Sequence, residues 1–252
     1  MRGDPGQRGP GELFRSALIE YRTMRLRRYV ANFGLKYAGL RHLHNSAPAK
    51  VLRAFLDEID LQYLRDNHHC PAFMERADLY RHVHDTFVKG APIDYLEFGV
   101  YRGDSIRCWS ELNRHPDSRF CGFDSFEGLP VEWRAGQGKG HFNVNGNLPQ
   151  IEDSRVRFVK GWFDNTVPEF ARQFSSSRQL ILHLDADLYG STMLPLIYLT
   201  PFLRKGSLLL FDEFYDREHE FKSFVDWQRI SQRNFGIVGQ VANYGKICAE
   251  IR

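Results

Sequence analysis

Two pairs of acidic residues stand directly after two apolar segments of this chain of 252 residues. Asp185 and Asp187 follow the first segment, and Asp212 and Glu213 follow the second. Each segment has the length and composition of a buried strand, so each pair lies where a strand ends. In an open parallel sheet, ligands bind at that edge. Because carboxylates gathered there repel one another unless a cation lies between them, the pattern predicts a divalent metal ion with oxygen ligands.

A glycine loop follows the first predicted strand of the α/β region. Glu97, Gly99 and Gly103 occur there in the spacing E-x-G-x-x-x-G. The glycines let the backbone turn sharply and let a ligand approach, because no Cβ stands in the way. A dinucleotide would place its pyrophosphate here, and the carboxylate of Glu97 would repel it. That carboxylate suits the cationic groups of S-adenosylmethionine (SAM) instead. A simple tight turn is the other interpretation of two glycines beside a buried strand.

Asp124 stands at the end of the second predicted strand, about 20 residues beyond the glycine loop. A carboxylate at this place can accept hydrogen bonds from both ribose hydroxyls of an adenosine ligand. A lone Asp at a strand end is more often a helix cap. The register of Asp124 with Glu97 on the neighbouring strand favours the ribose.

Strands and helices alternate from about residue 93 onward. The predicted strands lie near 93–98, 119–123, 155–159, 179–185 and 206–212, and the predicted helices near 104–114, 164–173, 191–204 and 217–232. Such alternation is typical of a parallel sheet with helices on both faces. Two further strands, at 236–241 and 246–251, are joined by a short turn and must pair antiparallel. The predicted fold class is α/β, with a Rossmann-like sheet of the class I SAM-methyltransferase type that ends in an antiparallel hairpin.

The N-terminal part of the chain differs in composition. Residues 1–11 are rich in Gly and Pro and are predicted to be a disordered tail. Residues 12–72 are predicted to form a basic helical extension of an α/β domain at 73–252. Residues 1–50 carry ten Lys and Arg against three Asp and Glu, an excess larger than the net charge of +3 of the whole chain. For the helix at 12–44 two interpretations stay open: an arm that packs on the domain or on a second subunit, and a helix that contacts a membrane surface.

Composition excludes several classes of function. The remainder of the chain is net acidic, so no nucleic-acid partner is expected. No apolar run approaches the roughly 18 residues of a membrane span, and the N-terminus lacks the apolar core of a signal peptide. The four cysteines are scattered without C-x-x-C spacing, which predicts thiols in a reducing compartment. The expected location is therefore the cytoplasm.

Five motifs, taken in order, resemble those of one family. They are the segments 96–103, 123–130, 160–163, 183–189 and 211–214. Together they resemble the macrocin O-methyltransferase (TylF-like) family of SAM- and Mg²⁺-dependent enzymes, whose members methylate sugar hydroxyls in macrolide and aminocoumarin antibiotics. The resemblance covers roughly the α/β domain and implies that this domain is a SAM-dependent methyltransferase. It does not extend to the N-terminal extension.

The resemblance also implies which residues bind the cofactor. Glu97 and Ser105 would bind the amino-acid end of SAM, and Asp124 would bind its ribose. The implied site is completed by residues beside the adenine, by the glycine loop and by the first acidic strand end, namely Ser125, Gly161, Trp162, Phe163, Gly99, Gly103 and Asp185.

A metal site and a base follow from the same resemblance. Asp185, Asp212 and Glu213 would bind Mg²⁺, although Glu213 stands where the family often has Asp. Related catechol methyltransferases use a lysine three positions after the first metal-binding Asp. Here that position is Leu188, so Asp187 is expected to be the general base. A helix N-cap is the other interpretation of Asp187.

Further segments are expected to surround this site. The long loop at 133–149 is predicted to be a lid over the acceptor, and a helix at 73–89 to form a second wall of the cleft. His183 precedes the first acidic pair inside an apolar strand and is interpreted as a core histidine. Residues 218–220 begin a predicted helix and would either reach the site or only interact favourably with the helix dipole.

The expected function is Mg²⁺-dependent transfer of a methyl group from SAM to a hydroxyl of a sugar or another polyol-bearing small molecule. Two alternatives stay open: a phenol or catechol acceptor, and a non-catalytic SAM-fold protein that docks through its basic N-terminal arm. A nicotinamide oxidoreductase is disfavoured, because Glu97 lies where the pyrophosphate would bind. Assembly into a homo-oligomer is left open.

Overall fold

The computed structural model describes residues 70–214, 216, 218–241 and 245–252. The disordered tail predicted for 1–11 lies outside the described residues, and so does nearly all of the basic helical extension predicted for 12–72. Both therefore stay predictions. Helices and strands are numbered below within the described part of the chain.

Eight strands of the described residues form one sheet. They are β1 Ala72–Phe73, β2 Ile93–Phe98, β3 Arg119–Asp124, β4 Val156–Lys160, β5 Gln179–Leu184, β6 Leu208–Phe211, β7 Phe235–Val241 and β8 Lys246–Ile251. Their order across the sheet is β1-β7-β8-β6-β5-β2-β3-β4, and among them β8 alone runs antiparallel to its neighbours. This arrangement confirms the predicted α/β fold, a parallel sheet with one antiparallel hairpin at the end of the chain.

Helices cover both faces of this sheet. In the described part they are α1 Arg76–Val83, α2 Asp104–Leu112, α3 Phe163–Gln173, α4 Tyr189–Leu199 and α5 Glu220–Ser231. α4 packs against both α3 and α5, whereas α1 packs against α2. Because the chain moves across the sheet in opposite directions before and after β4, right-handed connections place these two groups on opposite faces. None of the described helices combines the length and the apolar composition that crossing a membrane requires.

The helix predicted at 73–89 begins later and ends differently from the prediction. Phe73 lies in β1, where it pairs with Val241 of β7. Pairing with an open strand edge outweighs the local helical periodicity, which carries no information about that distant partner. The C-terminal part of the predicted helix is a π-helical turn, His84–Val88, and it ends at Lys89 in the left-handed conformation.

Aromatic side chains fill the space between the central strands and α1 and α2. Tyr95 of β2 and Tyr80 of α1 each lie 5.5 Å from Trp109 of α2, measured between ring centroids. All three side chains are buried, and so is Phe120 of the neighbouring strand β3. A densely packed layer of this kind supports the carboxyl ends of β2, β5 and β6, where the acidic residues lie.

Candidate active site

The register of the three central strands brings the two acidic strand ends together. The N–H of Asp185 donates to the carbonyl of Phe98, 2.9 Å away, and the N–H of Asp212 donates to the carbonyl of Leu184, 3.2 Å away. The hydrogen-bonded ladder therefore continues one residue beyond β5 and β6. Asp185 and Asp212 become neighbours at the edge that the sequence predicted.

A compact cluster of metal-ligand atoms results. One side-chain nitrogen or oxygen from each of His183, Asp185 and Asp212 lies within 4.8 Å of the other two. Two of the three residues are predicted metal ligands, whereas the sequence indicates that His183 is a core histidine. Glu213 does not belong to this cluster, so its predicted ligation stays a prediction.

The charges in this cluster favour a cation. Burial raises the pKa of Asp185 well above its usual value, and the negative charge of Asp212 raises it further. Burial also raises the pKa of Asp212, but hydrogen bonding to His183 and the charge of Lys246 outweigh it and keep this pKa below its usual value. Asp212 thus remains ionised, and its negative charge destabilises the ionised form of the neighbouring Asp185. Two carboxylates in such an arrangement fit a divalent cation that takes oxygen ligands.

His183 is better suited to donate hydrogen bonds than to bind a metal. Burial lowers its pKa, but Asp212 and Glu97 outweigh that effect and raise the pKa to about 10. Its Nδ1 lies 2.6 Å from the hydroxyl of Tyr95, and its Nε2 lies 3.6 Å from Asp212. Both ring nitrogens of His183 therefore face protein groups, so we assign His183 to the support of Asp212.

Glu97 lies inside a buried polar network. It faces His183 in the pairing of β2 with β5, and it accepts a hydrogen bond of 2.6 Å from the hydroxyl of Tyr95. His183 continues the network to Asp212, which forms an ion pair with Lys246. The predicted contact of Glu97 with the amino group of SAM stays a prediction, because the structure gives this carboxylate protein partners.

Ser105 lies at the other end of the same network. Its Oγ is 3.4 Å from the hydroxyl of Tyr80, and that hydroxyl is 3.5 Å from Nε2 of His183. The structure therefore brings the two residues predicted for the amino-acid end of SAM, Glu97 and Ser105, to one polar cluster.

Asp124 stabilises the glycine loop. One of its oxygens accepts hydrogen bonds from the N–H groups of Val100 and Tyr101, at 2.8 and 2.9 Å, and the other accepts from Phe126 at 2.7 Å. A carboxylate has about four acceptor sites and three are occupied, so capacity for about one further donor, such as one ribose hydroxyl, remains. The predicted ribose contact is compatible with this arrangement and stays a prediction.

The two glycines of the loop are required for different reasons. Gly99 has φ +93°, and a Cβ there would lie 1.7 Å from the carbonyl oxygen of Asp185. It permits the close approach of the loop to the end of β5. Gly103 has φ +81° and precedes α2, where a Cβ would lie 2.9 Å from the Cβ of Pro149.

The residues predicted beside the adenine lie near the end of β3. Gly161 donates its N–H to the carbonyl of Asp124 at 2.9 Å, Trp162 is the N-cap of α3, and the ring of Phe163 meets that of Phe98 edge to face at 5.8 Å. Ser125 directly follows Asp124 and is buried. These residues share one edge of the sheet, as the prediction requires.

Asp187 has an unusual backbone conformation. Its φ is +58°, and the N–H of Leu188 donates to the carbonyl of Ala186, so that Asp187 is the central residue of a γ-turn. A γ-turn with positive φ at its centre is rare and strained. α4 begins at Tyr189 with Leu188 as its N-cap, which rules out the N-cap interpretation of Asp187. Burial and the neighbouring Glu213 raise the pKa of the Asp187 carboxyl to about 7.

The loop between β3 and β4 packs beside Asp187. Leu129 and Trp133 of this loop form a small apolar cluster with Leu188. The indole N–H of Trp133 donates to Asp216 at 2.8 Å, and the guanidinium of Arg134 stacks 3.5 Å over the same indole. The start of the loop thus packs beside Asp187, and the lid predicted at 133–149 stays a prediction. On the side of α1, Arg76 carries a positive charge that interacts with Asp212 and Asp185.

Two residues of the site, Tyr95 and Lys246, are not predicted from the sequence. They join the network through strands that are distant in sequence. Of the segment 218–220, for which two interpretations stay open, Glu220 reaches the site, whereas Glu218 is exposed. Glu220, the first residue of α5, is fully buried and accepts hydrogen bonds from the backbone on both sides of the acidic cluster. The signal that could have been used for Tyr95 is its place within a buried strand, since a buried tyrosine hydroxyl usually has a hydrogen-bond partner.

Comparison with known proteins identifies relatives of the described domain. The family model described as Macrocin-O-methyltransferase (TylF) matches residues 74–237. The chain is 31% identical over 167 residues to the 8-demethyl-8-(2,3-dimethoxy-alpha-L-rhamnosyl)-tetracenomycin-C 4'-O-methyltransferase of Streptomyces olivaceus, a match that covers 58% of this chain and 62% of that protein. It is 27% identical over 164 residues to the mycinamicin III 3''-O-methyltransferase of Micromonospora griseorubida, with 56% and 63% covered. These matches thus span less than two thirds of the length of either relative.

Two solved structures share the fold. The O-methyltransferase NovP aligns with a TM-score of 0.53 at 21% identity, over 69% of this chain and 78% of that one. CalS11, a calicheamicin methyltransferase, aligns with a TM-score of 0.52 at 21% identity, over 99% and 98% of the two chains. This similarity confirms the predicted class I SAM-methyltransferase fold.

Proposed function

We propose that this chain, which belongs to the macrocin O-methyltransferase (TylF) family, transfers a methyl group from SAM to a hydroxyl of a sugar-containing small molecule with the help of Mg²⁺. The names of the two relatives support a sugar acceptor, since one methylates a rhamnosyl 4'-oxygen and the other a 3''-oxygen of mycinamicin III. The observation that carries the proposal is the juxtaposition of Asp185 and Asp212 at the sheet edge that also bears the glycine loop and Asp187.

In this proposal Asp185, Asp212 and Glu213 hold Mg²⁺, which when bound would supply the Lewis acidity that lowers the pKa of an acceptor hydroxyl. Asp187 accepts the proton of that hydroxyl on a carboxylate oxygen. The acceptor oxygen then forms a bond to the methyl carbon while the bond from that carbon to sulfur breaks, which leaves S-adenosylhomocysteine. In-line displacement depends on positioning, and the rigid strand ends provide it.

The cofactor is assigned to the other half of the edge. Glu97 and Ser105 bind the amino-acid end of SAM, and Asp124 binds the ribose. The glycine loop and the residues after β4 enclose the remainder, namely Gly99, Gly103, Ser125, Gly161, Trp162, Phe163 and Asp185. Such a placement leaves the acceptor between the metal-binding carboxylates and the loop of Trp133.

Two experiments test the proposal. Purified protein is assayed for S-adenosylhomocysteine with sugar diols and, separately, with catechols, in Mg²⁺ and in EDTA. Activity on a sugar that EDTA abolishes, together with a large loss of activity in Asp212→Asn at unchanged SAM affinity, is the expected result. Activity on catechols but not on sugar diols would show that the acceptor is a catechol and not a sugar. Full activity of the variant in EDTA would show that the reaction does not require a metal ion. SAM binding without turnover of any diol would favour a non-catalytic protein.

The proposal extends to location and assembly. Cys108, Cys121 and Cys248 carry free thiols, which is compatible with a reducing compartment, and we assign the protein to the cytoplasm. Self-association through residues 12–72, or contact of residues 12–44 with a membrane surface, is tested by sedimentation of the full chain with and without anionic vesicles.

A further inference from the structure

The two acidic loops of the site are linked by one buried side chain. Glu220 is 0% exposed. One of its carboxylate oxygens accepts the N–H of Ala186 at 3.3 Å, and the other accepts the N–H of Glu213 at 2.9 Å. Ala186 lies between Asp185 and Asp187, whereas Glu213 follows Asp212. The same carboxylate therefore contacts the backbone of both loops from which the metal ligands and the base project.

Other residues at the start of α5 reinforce the contact with the first of these loops. Nδ1 of His219 accepts the N–H of Tyr189 at 3.2 Å, and the hydroxyl of Ser223 donates to the carbonyl of Tyr189 at 3.0 Å. The γ-turn at Asp187 lies between Ala186 and Tyr189, so it is fixed at both ends by α5. A strained turn persists only where its surroundings impose it, and α5 supplies those surroundings.

Burying Glu220 is costly, which argues against a role in stability alone. A residue chosen only to pack α5 against the sheet would be apolar, since a buried acid among other acids destabilises the fold. The cost is explained if the bidentate acceptor is needed to set the distance between the two loops.

We propose that Glu220 is a positioning residue, which sets the spacing of Asp185 and Asp212 for the metal and fixes the orientation of Asp187. This inference rests on the proposed function, because it assumes that these carboxylates bind a divalent cation. It adds a residue that contacts neither substrate nor metal and acts through the backbone of the two loops.

Glu220→Ala removes both acceptors, and Glu220→Gln keeps one, because an amide offers a single oxygen. Glu218→Gln is the matched control, since Glu218 is exposed and lies two residues away in the same turn. For each variant of the full chain, Mn²⁺ affinity is measured by the electron paramagnetic resonance of the free ion, and SAM affinity is measured by calorimetry. Turnover is measured as formation of S-adenosylhomocysteine with a sugar diol at saturating Mg²⁺. We expect Glu220→Ala to weaken Mn²⁺ binding and to lower turnover at least tenfold each, with SAM affinity within threefold of the wild type. Glu220→Gln should lie between, and Glu218→Gln should match the wild type.

Unchanged Mn²⁺ affinity and turnover in Glu220→Ala would overturn the inference. If Glu220→Ala loses SAM binding as well, Glu220→Gln decides: a variant with normal SAM affinity and weakened Mn²⁺ binding supports the inference, and one that binds both ligands normally overturns it. The wild-type protein separates the two proposals. Wild-type protein that binds no Mn²⁺ and is indifferent to EDTA would overturn the proposed function, and the role of Glu220 with it.

Discussion

At the scale of single residues, the site depends on backbone conformations that most side chains do not adopt. Asp187 has a positive φ at the centre of its γ-turn, and Gly99 has a positive φ beside the carbonyl of Asp185. Asp and Asn tolerate positive φ better than other non-glycine residues. Strain of this kind is typical of functional positions. Substitutions at these two positions can therefore test the backbone conformation and the chemistry of the site separately.

Asp187→Asn keeps the size of the side chain and its tolerance of positive φ, but it removes the proton acceptor. We expect turnover to fall about 100-fold or more, the range that general-base residues contribute. The affinities for SAM and Mn²⁺ should stay within about threefold of the wild type, because a positioned base adds little to the binding of either. Steady-state assays and calorimetry check both parts. Retained turnover would show that another group accepts the proton.

Gly99→Ala would place a methyl group 1.7 Å from the carbonyl oxygen of Asp185. We expect it to destabilise the protein by about 3 kcal/mol or more, because the loop or the end of β5 must move. SAM affinity should fall as well. Gly138→Ala is the control, since a Cβ at Gly138 meets no atom within 4 Å. Thermal unfolding and calorimetry compare the two variants, and equal stability would contradict the observed contact.

At the scale of elements, one arginine connects the loop before β4 to the end of α2. The guanidinium of Arg155 donates to the carbonyls of Ser110, Asn113 and His115 at 2.7 to 3.0 Å, and it forms an ion pair with Asp153 at 2.6 Å. Carbonyl groups at a helix C-terminus have no partner within the helix, and a cation there also interacts favourably with the helix dipole. Arg155 thus fixes the C-terminus of α2, the helix that follows the glycine loop.

Arg155→Ala should destabilise the protein by about 2–4 kcal/mol, because several partly buried carbonyl groups lose a charged donor. Arg155→Lys should recover only part of this, since an ammonium cannot reproduce the planar fork. Chemical denaturation measures both, with Arg114→Ala as the control, because Arg114 is exposed, lies just beyond the C-terminus of α2 and donates one hydrogen bond, to the carbonyl of Glu111. A loss no larger than that of the control would show that water replaces the guanidinium.

The same ion pair predicts a pH dependence. Hydrogen bonds from Arg155 lower the pKa of Asp153, so this carboxylate contributes stability that is present above its unfolded pKa and lost as the pH falls through the folded value. The difference in stability between the wild type and Arg155→Ala should therefore be constant at neutral pH and narrow below about pH 4. Denaturation at a series of pH values measures it. A difference that widens in acid would contradict the assignment.

The elements that the sequence predicted well are those with a local signal. The terminal hairpin follows from two apolar runs and a short turn, and the strands β5 and β6 follow from mainly apolar runs before acidic residues. Phe73 shows the limit of such signals, because its helical spacing is real but its pairing with Val241 is stronger. Pairing partners that lie far apart in sequence leave no mark on local periodicity.

At the scale of the whole molecule, the site combines charges from strands that only the sheet order makes neighbours. Lys246 begins β8, and it reaches Asp212 because β8 inserts beside β6. Tyr95 and His183 meet because β2 pairs with β5. The acidic pairs could be predicted from the sequence, since strand ends gather at one edge. Their buried partners could not, since each contact depends on a register between distant strands.

This arrangement implies a compromise between stability and function. Asp185 is destabilised by burial and by the charge of Asp212, and a bound cation would relieve both. We therefore expect Asp185→Asn to raise the melting temperature of the metal-free protein by about 2–4 °C, an increase of about 1 kcal/mol in unfolding free energy. In the wild type, Mg²⁺ at 100 times its dissociation constant should add about 2.7 kcal/mol, and this gain should be absent from the variant.

Scanning calorimetry with and without Mg²⁺ measures both effects. Glu152→Gln, which removes an exposed carboxylate, should leave the metal-free melting temperature and the response to Mg²⁺ unchanged. Because the two expected effects of Asp185→Asn have opposite signs, general damage to the fold cannot produce them together. A variant that is less stable without metal but still stabilised by Mg²⁺ would show that Asp185 supports the fold and that the cation binds elsewhere.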